Sequence, residues 1–211
     1  MSISSSSCPN CGAEVSFSSV ATVMVVCEYC DTTIVRKDLD LDKVGTMAKL
    51  VKDASPLYLG LRGRCPLGEF EIVGRLQLAY DAGLWNEWFI VTQNDEPAWI
   101  AEAMGDYTLL SDAAIKAPAK VKDLKPGQRL KLKGKTYLVS DARPARCVSG
   151  EGQLPFVVGS GYDFYYVDLR SHSNRVATID CSGASPIVYT GVYMDFDAFD
   201  FQGPRSFDGW S

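Results

Sequence analysis

Three observations predict a mainly β protein for this chain of 211 residues. From Pro56 onward, short segments rich in β-branched and aromatic residues alternate between apolar and polar positions, the period of half-buried strands. Glycine, proline, asparagine and aspartate break these segments at regular intervals, as turns require. Near the N-terminus, two Cys-x-x-Cys pairs are separated by fifteen residues. That spacing suits two tight turns brought together by a β-hairpin.

Composition sets the outer bounds. Hydrophobic residues make up 46% and charged residues 22%, which excludes a disordered or collagen-like chain. This length buries enough surface to fold without disulfides. No apolar run approaches the roughly 18 residues of a membrane span. The segment 1–7 has neither a basic residue nor an apolar stretch, so it does not read as a signal peptide, and a cytoplasmic location is expected. Seven cysteines, an odd number, fit that setting better than a disulfide framework.

The first element, 1–37, is expected to be a zinc ribbon with Cys8, Cys11, Cys27 and Cys30 as metal ligands. Pro9 fixes one turn and Gly12 follows its second thiolate, where the chain must reverse. Val20, Thr22, Val23, Val25 and Val26 read as strand between the pairs. Four thiolates leave no open coordination position, so the Zn2+ is expected to be structural.

The second element, 38–55, is expected to be a short connecting helix. Leu41, Val44, Met47, Leu50 and Val51 recur at steps of three and four over about 41–53. Ser55-Pro56 then ends the helix.

The third element, 56–195, is expected to be a duplicated β domain of two similar small antiparallel barrels or sheets packed together. Gly60 precedes Phe70-Glu71-Ile72 by the same interval as Gly127 precedes Tyr137-Leu138-Val139. An aromatic strand follows in each half, at Trp88 and at Phe164. The fourth element, 196–211, alternates acids with aromatics and reads as a tail that docks by Phe196, Phe199, Phe201 and Trp210.

Several of these residues are familiar. Cys8-Pro9-Asn10-Cys11-Gly12, Ala54-Ser55-Pro56-Leu57 with Gly60, Phe70 to Arg75, Trp85-Asn86-Glu87-Trp88-Phe89, and Trp99 with Glu102 resemble the family called domain of unknown function 4178. The resemblance covers about 8–195. It implies a bacterial cytosolic protein with a zinc ribbon and a β-rich domain, encoded near membrane-stress genes, and it carries no assigned catalytic residues.

The remaining constellations give no strong catalytic reading. His172, the single histidine, lies in a polar turn. Asp81, Glu87, Glu102 and Asp106 surround an aromatic segment, but acids in hairpin loops are usually solvated. Cys147 lies near Arg143 and Arg146, which can activate a thiol. The segment 116–135 carries eight basic residues against Asp123 in a chain of net charge −5. Its lysines, including Lys116, Lys120, Lys122, Lys131 and Lys133, offer an anionic-surface contact. No aromatic interleaves with them before Tyr137, so nucleic acid is not the expected partner.

The favoured expectation is a non-enzymatic, zinc-stabilised interaction or scaffold module that meets a protein partner. The alternative is a small-ligand-binding protein or enzyme using an aromatic groove around Trp85, Trp88, Trp99 and Glu102. A nucleic-acid-binding ribbon ranks last.

Overall fold

The computed structural model describes residues 4–37 and 40–207. The regular elements of the N-terminal part are all strands, joined by turns. β1 (Ser4–Ser7) pairs antiparallel with β2 (Glu14–Phe17). β3 (Met24–Val26), β4 (Thr32–Lys37) and β5 (Asp40–Thr46) form an antiparallel sheet in the order β5-β4-β3. Val15, Phe17, Val25 and Ile34 bury around the cysteine turns as a small separate core.

The connecting helix expected over 41–53 is absent; β5 and an extended strap, 47–55, stand in its place. The apolar residues do not share one face. Leu41 packs on the ribbon core and Met47 on the barrel core, while Val44 and Val51 are half exposed. An isolated helix of this length is marginal, and Gly45 and Thr46 weaken it further. The open edge of β4 offers a full ladder of backbone partners instead. The strap is then held by side chains: Gln77 accepts from Val51 N–H at 2.8 Å and donates to Val51 C=O at 2.9 Å.

The remaining strands fall into two series. The first is β6 (Arg62–Cys65), β7 (Gly68–Tyr80), β8 (Gly83–Thr92), β9 (Pro97–Ala103) and β10 (Asp106–Lys116). The second is β11 (Arg129–Leu132), β12 (Lys135–Leu154), β13 (Tyr162–Arg170), β14 (Arg175–Asp180) and β15 (Ile187–Met194). Each series is a meander whose short first strand pairs with its second. The two sheets join edge to edge, β7 to β12 and β10 to β15. The result is one closed, antiparallel eight-stranded barrel, where the sequence had suggested two packed units. Closure removes both free edges, which two separate small sheets would leave exposed.

Equivalent strands meet at each seam, so the closure is pseudo-two-fold. The repeat extends to single hydrogen bonds. Gly60 N–H donates to Ile72 C=O at 2.7 Å and Gly127 N–H donates to Val139 C=O at 2.9 Å. Ile72 N–H and Val139 N–H return to Leu61 C=O and Gln128 C=O. Both series then bulge at the same place, between Ile72 and Gly74 and between Val139 and Asp141. Such bulges raise local twist and help a sheet curl shut. At the seams the backbones come too close for a side chain: a Cβ on Gly74 would lie 1.9 Å from Gln153 O, and one on Gly191 1.7 Å from Leu109 O.

The outer wall of the first series is covered by Leu57, Leu61 and the tail. Phe199 is fully buried there, edge-on to Phe70 and stacked on Phe201 at 5.2 Å. The tail therefore docks by its aromatics on its own barrel; Trp210 lies outside the described residues. The outer wall of the second series is covered by Val121, Leu124, Leu130 and Leu132. Lys116, Lys120, Lys122, Lys131 and Lys133 all face solvent. Among the described residues no helix is long and apolar enough to cross a membrane.

Candidate functional site

Two places in this fold gather chemistry. The first is the ribbon. Cys8 and Cys27 are buried, Cys30 is half-buried and Cys11 is exposed. All four Sγ atoms lie within 4.8 Å of one another, with Cys8 to Cys30 and Cys11 to Cys27 each at 3.7 Å. A tetrahedron of thiolates at ~2.3 Å from a metal has sulfur–sulfur edges of about 3.8 Å. The two turns are built alike. Gly12 N–H bonds to Cys8 C=O and Asp31 N–H to Cys27 C=O, both at 2.9 Å. Gly12 (φ 78°) and Asp31 (φ 54°) both take the left-handed conformation that the reversal needs. The four cysteines can thus hold one metal ion, and their soft donor set suits Zn2+.

The second place is the barrel interior, a cavity of about 570 Å³ lined by residues from all eight barrel strands. The period of two decides what faces it. On β8, Trp85 and Glu87 point inward; on β13, Tyr162, Phe164, Tyr166 and Asp168 do so; on β14, Thr178 and Asp180. One end is filled by Trp99, Phe156 and Val158 packed with Met24 of the ribbon, where β3 pairs with the end of β12.

Aromatic rings form a continuous wall. Trp85 lies 5.8 Å from Tyr80, 6.5 Å from Phe164 and 5.6 Å from Tyr166. Of the five acids that line this enclosure, three stand against the aromatic wall without an ion pair among the described residues. Glu87 accepts from Trp85 Nε1–H at 3.3 Å, and Asp168 from Thr178 O–H at 2.6 Å. Asp180 accepts from Ser182 N–H, at 2.7 Å, two residues along the chain. Burial, with the Asp180 charge adding to it, pushes the Glu87 carboxyl up to about 7. Burial likewise pushes Asp168 up to about 6 and raises Asp180. Of the cations nearby, Arg143 binds Asp141 at 2.8 Å and Asp81 at 3.2 Å, and Arg170 lies over the Tyr193 ring at 5.2 Å; both partly offset the effect of burial on Asp168.

The groove expected around Trp85, Trp88, Trp99 and Glu102 is divided by the barrel wall. Trp85 and Trp99 line the cavity. Trp88 and Glu102 have the opposite parity on their strands and face the outer core. There Glu102 accepts from Trp88 Nε1–H at 2.8 Å, Asn86 Nδ2–H at 3.1 Å, Ser55 O–H at 2.7 Å and Tyr107 O–H at 3.3 Å. Arg75 lies over the Trp88 ring at 4.7 Å and bonds Asn86 and Asp53. With its lone pairs filled, Glu102 fastens the strap to the barrel. Of the other acids singled out, Glu87 and Asp106 line the cavity and Asp81 is tied to Arg143.

Cys147 is fully buried, and that burial, with the Glu87 charge adding to it, pushes its thiol up to about 12. It is not an activated nucleophile; Arg146 turns away to Asp163. His172 is exposed in a turn. Sequence reasoning missed Asp168 and Asp180. Their signal was parity: Tyr162, Phe164, Tyr166 and Asp168 alternate onto one face that is neither a solvated nor an apolar core face.

The model of a family described as domain of unknown function (DUF4178) matches residues 58–196. The chain belongs to that family, and the match spans the barrel and begins beyond the ribbon. No curated protein and no solved structure matches the chain.

Proposed function

We propose that this member of the DUF4178 family is a non-enzymatic receptacle that holds a small organic molecule inside its barrel. The observation that carries this reading is the cavity itself. Eight-stranded barrels either pack their interior solid or hold one small ligand. At about 570 Å³ this interior falls within the range of ligand pockets, and its mixture of aromatic wall and few polar groups is that of a binding site. The ribbon, with Zn2+ on Cys8, Cys11, Cys27 and Cys30, serves as a structural cap over the filled end. A cytoplasmic setting belongs to the same reading, supported by seven cysteines that form no disulfide.

Nile red, a neutral apolar dye, tests it. One dye per chain should bind saturably with a blue-shifted emission. Ala101→Trp, which fills the cavity from β9, should abolish binding without unfolding the barrel. Absence of binding, or equal binding by the filled variant, would overturn the proposal.

An interaction-module role is a second reading, favoured by one observation. Val20 and Tyr29 are 68% and 78% exposed on the ribbon. A ligand-responsive barrel with a sticky ribbon suits a member of a larger assembly. Substituting both with Ser should weaken capture of a protein partner while leaving dye binding intact.

A further inference from the structure

We propose that the barrel's ligand is an organic cation, an ammonium group on an apolar stem, with Glu87, Asp168 and Asp180 as its anionic anchors and Trp85, Phe164 and Tyr166 as its aromatic wall. The proposal rests on the receptacle reading and names the class of ligand. It begins from charge inside the cavity. Five carboxylates line it, from Glu87, Asp106, Asp141, Asp168 and Asp180, against the two guanidinium groups of Arg143 and Arg170. Among the described residues, no ion pair reaches Glu87, Asp168 or Asp180.

The surroundings of each acid matter. Glu87 faces Asp168, Asp180, Tyr162, Tyr189 and the Cys147 thiol, none of them cationic. Asp168 faces Asp141, Arg143 and Arg170; Arg143 is paired with Asp141, and both guanidinium groups only partly offset the effect of burial on Asp168. Asp180 sits across from Tyr166 on the neighbouring strand. All three acids are half-buried, and a partly desolvated carboxylate with no cation paired to it is costly, so an empty cavity favours the protonated form.

Each ligand class changes that balance differently. An anion would face five carboxyl groups against two guanidinium groups, a net repulsion once the acids ionise. A neutral apolar molecule would leave the acids protonated and gain nothing from them. A metal ion needs its ligand atoms drawn together, and among the described residues only the four cysteines approach one another that closely. The carboxylates are spread around a larger space, which a polyatomic cation fills. Its stem would lie against Leu76, Leu78 and Leu110. Its charged head would meet ring faces, which attract cations most strongly where water is excluded.

Binding should then be linked to protons. A cation pairs with ionised acids, so affinity should rise with pH through the range in which Glu87 and Asp168 lose their protons, and binding should release protons.

Displacement of Nile red by pentylammonium, 1-pentanol or pentanoate tests the proposal at pH 8. Pentylammonium should displace the dye at least about tenfold more effectively than the alcohol, a difference of about 1.4 kcal/mol, and pentanoate should not displace it. Glu87→Gln and Asp180→Asn should each reduce the preference for the amine over the alcohol, measured against each variant's own dye affinity. Lowering the pH to 5.5 should erase the preference in the parent protein. If the dye binds and the alcohol competes as well as the amine, the cation class is wrong and the receptacle stands. If the dye does not bind, both readings fall.

Discussion

Trp85 and Trp88 lie on one strand and send their indole N–H groups to opposite sides of the barrel wall. Trp85 donates to Glu87 at 3.3 Å, in the cavity; Trp88 donates to Glu102 at 2.8 Å, in the outer core. The first carboxylate is short of donors and held partly protonated near neutral pH. The second is saturated with them. The same residue pair, Trp with Glu, is therefore a cavity-facing feature on one side and a structural fastening on the other.

The fastening gives a stability prediction. Glu102→Ala should orphan donors on Trp88, Asn86, Ser55 and Tyr107, at a cost of about 3–5 kcal/mol. Chemical denaturation reads the cost directly. Because Glu102 faces away from the cavity, dye affinity of the folded fraction should not change.

The seams give another. Gly191→Ala would place a Cβ against the Leu109 carbonyl, which is backbone and cannot swing aside. The variant should lose several kcal/mol or fail to fold. Gly45→Ala has nothing within 4 Å of its new Cβ and should be near neutral. Thermal melts of the two variants compare them, and equal melting temperatures would contradict barrel closure at this seam.

The cavity acids set a pH dependence. Glu87 and Asp168 are raised to about 7 and about 6 from ordinary values of 4.5 and 3.8. The folded state thus binds protons more tightly than the unfolded state between those limits. Their contribution to stability is greatest at acid pH and falls as pH rises from about 4 to about 7. Glu87→Gln should remove its part of that fall and stabilise the unliganded protein at pH 8, by about 3 kcal/mol at most. Melting curves between pH 5 and 8 measure it.

Metal content tests the ribbon. Elemental analysis of protein purified without chelator should find one zinc per chain. Cys8→Ser or Cys27→Ser should lose the metal and unfold the ribbon while the barrel strands stay protected from hydrogen exchange. Metal binding supplies roughly 10–16 kcal/mol in isolated fingers, so the local loss should be complete. Stoichiometry near zero would refute the assignment.

Much of this architecture was legible in residue order because its signals are local. Two Cys-x-x-Cys turns declare themselves, and Gly60 and Gly127 mark a repeat that the hydrogen bonds reproduce. What was not legible is long-range. Closure depends on pairing β7 with β12 and β10 with β15, distant in the chain. Without closure, Trp85, Trp88, Trp99 and Glu102 read as one aromatic patch, although parity already separated Trp85 from Trp88. Residues 41–53 misled because a helical spacing of apolar residues there competes with the open edge of β4, and the edge wins.

The most direct test of the barrel interior as the ligand site is the indole N–H resonance of each tryptophan in 15N-labelled protein, assigned with Trp85→Phe and Trp88→Phe. Pentylammonium and 1-pentanol are titrated in turn at pH 8. The account predicts that the Trp85 resonance shifts saturably, further with the amine than with the alcohol, while the Trp88 resonance stays in place. A Trp85 resonance unmoved by either compound, or a Trp88 resonance that moves as far, would contradict it.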